Sequence, residues 1–96
     1  MNQKLEIILG TNNLWIFAYF QGYLEGVAGS FKTLKTDILK NNDYMFLVEV
    51  LNENHRYITM TEEDIEKDLR QGAVVVEKIF KNFGKDTDYK IKVNKI

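Results

Sequence analysis

Ninety-six residues leave room for one hydrophobic core and no second domain. With 45% hydrophobic and 28% charged residues, the composition is that of a folded globular chain rather than a disordered one. A net charge of −1 excludes a chain-wide basic footprint for nucleic acid, and the lack of cysteine excludes disulfides, zinc–thiolate sites and thiol nucleophiles.

Proline is also absent, so turns fall to Gly, Asn, Asp and Ser. Residues 4–9 alternate as a strand, with Leu5, Ile7 and Leu9 facing a core and Lys4, Glu6 and Ile8 facing away. Gly10 to Asn13 break the strand and supply an N-cap. From Asn13 to Ala28 the apolar residues follow a helical period. Ile16, Phe17, Tyr19, Phe20, Tyr23, Leu24 and Val27 share one side, with Gln21 and Glu25 opposite. Gly22, Gly26 and Gly29 weaken this helix, and Gly29-Ser30 is expected to end or bend it. A second short helix is expected from Phe31 to Leu39, with Phe31, Leu34 and Ile38 on one face.

Asn41-Asn42-Asp43 reads as a turn. Tyr44 to Leu51 and Arg56 to Met60 read as strands joined through Asn52-Glu53-Asn54 in a β-hairpin. Thr61-Glu62-Glu63-Asp64 carries the pattern of a capping box and opens a helix. That helix is expected to run to Phe83, with Gly84 just beyond it. Ile65, Leu69, Ala73, Val76, Ile79, Phe80 and Phe83 would face the core, and Val74 would face solvent. A rival reading ends the helix at Gly72 and makes Ala73 to Lys81 a strand, because three consecutive valines favour β structure. Tyr89 to Asn94 alternate cleanly as a last strand. The expected fold class is therefore α+β, in the order β-α-α-β-β-α-β. This is a ferredoxin-like two-layer sandwich with one antiparallel sheet covered on one face by helices, a single compact domain over residues 1–96.

No leader is read at the start of the chain, and Gln21 and Glu25 interrupt the apolar run Leu14 to Phe20 before it could span a bilayer. Cytoplasmic residence and no membrane partner are the expectations. The single histidine, His55, falls at the expected hairpin tip as a solvated turn residue. The acidic residues Glu62, Glu63, Asp64, Glu66 and Asp68 suit a helix N-terminus better than a cation. Gly22 and Gly26 read as permitting close approach of another element. Neither GxxxxGK[ST] nor GxGxxG occurs. No catalytic residue, metal ligand set or cofactor is expected.

Surface residues carry the remaining expectations. The open sheet face would present Lys4, Glu6, Ile8, Tyr57, Thr59, Lys90 and Lys92, together with Leu47 if Glu49 points outward. Trp15 stands apart as an interface residue. The candidate partner-binding set is Trp15, Leu47, Tyr57, Thr59, Lys90 and Lys92. These surfaces suit a small non-catalytic protein-binding module that occludes a macromolecular partner. A composition rich in Lys, Asn and Ile suggests an AT-rich genome, and with it a phage or mobile-element inhibitor of a bacterial system, anti-CRISPR-like in style. Two alternatives stand beside this reading. One is a nucleic-acid-binding domain using Lys4, Tyr57, Lys90 and Lys92. The other is a small-molecule-binding, dimeric domain with a pocket near Trp15, Tyr19 and Tyr23. A homodimer is a further expectation.

Overall fold

In the computed structural model, which describes residues 2–27 and 29–96 but not the side chain of Val27, the first alternating segment forms strand β1 (Lys4–Thr11). Leu5, Ile7 and Leu9 are buried and their neighbours are not. The Asn13 side chain then accepts the N–H groups of Trp15 (2.8 Å) and Ile16 (3.2 Å), which starts helix α1 (Leu14–Gly22). A π-helical turn (Tyr23–Val27) follows and breaks at Gly26, which takes a φ of 95°. A Cβ there would lie 2.6 Å from the Phe31 carbonyl oxygen, so glycine lets the turn close onto the next segment. The expected helix end at Ala28 lies outside the described residues.

The next segment is strand β2 (Phe31–Ile38) and not the helix expected over 31–39. A β-bulge between Thr33 and Lys35 inserts Leu34 into the pairing. The inserted residue shifts the alternation, so Phe31, Leu34 and Ile38 acquire a helix-like spacing in an extended chain. The Asn41–Asp43 turn, with Asn42 at φ 66°, leads into β3 (Tyr44–Val50). The hairpin is therefore β2–β3, and the one expected between 44–51 and 56–60 does not form. Arg56–Ile58 make a single 3₁₀ turn instead. β3 is paired with β2 along one edge and β1 along the other, which leaves no place beside it for a further strand.

Thr61 accepts the Asp64 N–H at 3.1 Å and opens α2 (Glu62–Gly72). The chain remains helical beyond it, which excludes the strand reading of 73–81, but it breaks at Ala73 and continues as α3 (Val74–Asn82). One straight helix from Glu62 to Phe83 would be about 33 Å long, against about 26 Å for the eight-residue β1, so it would overhang the sheet. Ile65, Leu69 and Ala73 are buried in the core, whereas α3 buries no residue. Ile79, Phe80 and Phe83 thus leave the core assigned to them. Gly84, at φ 69°, follows as expected.

Strand β4 (Tyr89–Lys95) completes a sheet of order β2-β3-β1-β4 with every neighbouring pair antiparallel. The described residues form one four-stranded antiparallel sheet and three α-helices, an α+β architecture whose order is β-α-β-β-α-α-β. Phe46, Val48 and Val50 from β3, and Ile91 and Val93 from β4, join the β1 residues beneath Ile16, Phe20, Ile65 and Leu69. Alternation leaves the opposite sheet face to water. Ile65→Ala is expected to cost about 2–5 kcal/mol in urea unfolding. Ile79→Ala, on the same sequence stripe, is expected to cost under about 1 kcal/mol. Equal large losses would mean that α3 packs in the core.

Candidate functional site

The densest polar cluster lies where α2 meets the segment after β3. Asp68 of α2 accepts hydrogen bonds from the Tyr57 hydroxyl and from Arg56 Nη2, the latter at 2.8 Å. His55 Nδ1 accepts the Tyr57 N–H at 3.1 Å and caps the 3₁₀ turn. Its ring meets those of Phe31 and Tyr57 edge-on. Tyr19 approaches from α1, its hydroxyl 2.6 Å from where a Cβ on Gly72 would stand. Glycine at 72 is what admits it. Tyr19, Tyr23, Arg56, Asp68 and Gln71 bound a cavity of about 160 Å³. That is small beside the roughly 300–1,000 Å³ of small-molecule sites.

The electrostatics of this cluster follow from burial and from these bonds. Burial, reinforced by the bond to Asp68, pushes the Tyr57 hydroxyl far up, so it stays protonated and donates. Burial works against ionisation of Asp68, but the bonds from Tyr57 and Arg56 outweigh it and hold the carboxyl below its ordinary range. Burial first, and the Arg56 charge second, hold the His55 imidazole below its ordinary 6.5. Each group is already committed: Tyr57 as donor, Asp68 and His55 as acceptors. The arrangement clamps residues 55–58 onto α2.

This geometry moves two expected site residues. Tyr57 is fully buried on the helix side of the sheet, because its hydroxyl finds its partner on α2. Thr59 follows the 3₁₀ turn, with its Oγ1 directed at the Arg56 carbonyl (3.4 Å), and belongs to no strand. His55 is half-buried and caps a turn rather than standing solvated at a hairpin tip.

The open sheet face does present Lys4, Glu6, Ile8, Leu47, Lys90 and Lys92. Registers place Ile8 between Met45 and Lys92, and Glu6 between Leu47 and Asn94. Asn94 donates to Glu6 at 3.0 Å. The apolar centre is half-buried, and lysines around it alternate with Glu6, Glu49 and Asp37. At one end of the sheet a hollow of about 350 Å³ is lined by Asp43, Asp86 and Asp88. Among the described residues no group of three such side chains could hold a metal ion.

Apolar side chains are also exposed at the corner between α1 and α3. Trp15 is 63% exposed and stacks on Phe80, with ring centroids 5.5 Å apart and planes 13° from parallel. Helical spacing puts Val76, Ile79, Phe80 and Phe83 on one side of the α3 segment, with Phe83 72% and Ile79 48% exposed. Lys78 and Lys81 stand exposed on the same helix. Of the expected partner-binding residues, only Trp15 lies here. The apolar α3 residues escaped notice because their stripe continues that of α2, which is core. The usable signal was length, since a single helix of that span outruns the strands beneath it.

Comparison with known proteins finds no match: no family model, no curated protein and no solved structure is similar to the chain. Among the described residues, no helix is long and apolar enough to cross a membrane.

Tyr57→Phe removes one of the two donors to Asp68 and is expected to destabilise the domain by about 1–2 kcal/mol in urea unfolding. The depressed imidazole makes a second prediction. A group whose folded pKa is lowered contributes stability that is present above its ordinary value and is lost as pH falls through the folded one. Unfolding free energy should therefore drop between pH 7 and 5. His55→Asn keeps a capping acceptor without the titration and should flatten that drop. An unchanged slope in the variant would rule His55 out as its source.

Proposed function

We propose that the protein is a small binding module without chemistry of its own, and that it acts by covering the surface of a protein partner. The observation that carries this reading is the α1–α3 corner. Trp15, Ile79 and Phe83 are exposed together with a helix that buries nothing, on a chain with a good core elsewhere. Exposed contiguous apolar surface is costly in a monomer and marks interaction sites, and tryptophan is the residue most enriched among binding hot spots. Occlusion of a partner's working surface, the inhibitory mode expected from the sequence, requires no more than such a patch.

The polar cluster supports the non-catalytic half of the reading, since Tyr57, Asp68 and His55 are each engaged in holding the fold. The mixed charges of the open sheet face favour a protein over a nucleic acid, whose phosphates call for a single positive field. Strand directions support a ferredoxin-like assignment. β1 and β2 run parallel with β3 between them, and β3 and β4 run parallel with β1 between them, each pair joined through helix.

The test is capture of binding partners by the immobilised chain, followed by affinity measurement on what is captured. Trp15→Ala combined with Phe83→Asp is expected to weaken a protein partner at least 30-fold, about 2 kcal/mol, at unchanged melting temperature. Lys90→Glu with Lys92→Glu should leave it bound. The opposite pattern would move the contact to the sheet face. Retention of nucleic acid alone, released by salt, would replace the reading with nucleic-acid binding.

A further inference from the structure

The two edges of the sheet are not equivalent. On β4 the outward N–H groups of Val93 and Lys95 are taken by Glu66 (2.9 Å) and Glu62 (2.6 Å) of α2. Those carboxylates occupy the place of a neighbouring strand and cover that edge over its last three residues. On β2 the helix layer touches only the beginning. Gly26 packs against the Phe31 carbonyl, and Thr33 Oγ1 donates to the Leu24 carbonyl at 2.7 Å. From Leu34 onward the strand is exposed, with Leu34 at 41% and Ile38 at 69%. Among the described residues no side chain bonds the outer edge of β2 from Leu34 to Ile38 in the way that Glu66 and Glu62 bond β4.

We propose that β2 pairs antiparallel with β2 of a second copy of this chain, about a two-fold axis at Thr36, to make a continuous eight-stranded sheet. Residues 34–38 contain their own complement. In this register Thr36 faces Thr36 of the second copy, and Lys35 and Asp37 face each other's counterparts in two ion pairs. Leu34, the bulged residue, stands opposite Ile38 at each end of the paired segment. Lys35 and Asp37 lie on the same sheet face, opposite Leu47 and Met45 of β3, and already approach to 3.2 Å within one chain. Opposed residues must share a face, so the register can slip only by steps that keep the alternation. Moving the axis to Lys35 opposes two lysines, and moving it to Asp37 opposes two aspartates, both unfavourable. Lys32 and Lys40 fall outside the paired segment and remain solvated. Lysine on an edge strand ordinarily repels other strands. Here Asp37 two residues away makes that charge selective for its own copy.

Sedimentation of the full chain over a concentration series into the high micromolar range tests this. The wild type is expected to form a dimer. Lys35→Asp, at an exposed position, should weaken the dimer about tenfold, because it sets like charges against Asp37 in both pairs. Adding Asp37→Lys restores opposite charges and should recover the affinity. A wild type that stays monomeric throughout overturns the proposal, as does a dimer indifferent to Lys35→Asp or not recovered by the swap. Trp15 lies outside the contact, so a dimer lost with Trp15→Ala and retained with Lys35→Asp would assign self-association to the α1–α3 corner instead.

Discussion

Glu62 and Glu66 are one helical turn apart on α2, a rise of about 6 Å, and the N–H groups they accept are two residues apart on β4, about 6.7 Å. Helix and strand periods nearly match over that step, so the two bonds lock α2 along the outer edge of the sheet. Much else follows. α2 set there delivers Ile65 and Leu69 to the core and Asp68 to Tyr57. It also brings the chain to Ala73, beyond which α3 packs Val76 against the edge of the core and Phe80 on Trp15 but buries no residue fully.

The Tyr57–Asp68–Arg56 cluster completes the same docking from the other side. The segment between β3 and α2 has no strand partner, because β3 is saturated by β1 and β2. A buried tyrosine hydroxyl needs an acceptor, and Asp68 supplies it while Arg56 balances the charge. Titratable groups gathered this tightly resemble a catalytic site in outline. Their bonds are turned inward on each other, and the space left beside them is small.

Stability and interaction thus divide between different parts of one small domain. The core draws mainly on β1, β3, β4, α1 and α2, with Phe31, Leu24 and Tyr57 added, while the stacked Trp15–Phe80 corner and the far end of β2 are among the places where apolar residues stay exposed. The first carries the exposed Lys78 and Lys81 on the same helix. The second carries Lys35 and Asp37 two residues apart, beside the exposed Leu34 and Ile38.

How much of this could be read from the residues depended on whether the pattern was local. β1, α1, the start of α2 and β4 were legible, because alternation, an N-cap or an amphipathic period sits in consecutive residues. The α+β class and the outward placement of Lys90 and Lys92 came with them, whereas that of Leu47 hung on which face β3 presents, which its pairing with β1 decided. β2 was not legible, since a bulge that exists only through pairing with β3 turned its alternation into a helix-like spacing. Residues 56–60 look extended in isolation, and only the saturation of β3 excludes them from the sheet. The α3 stripe reads as core, and only the finite length of the sheet leaves it outside. Local chemistry determined which segments are regular and which faces are apolar. Which of those faces found a partner was decided by the tertiary structure, because burial is a property of what lies opposite a residue and not of the residue itself.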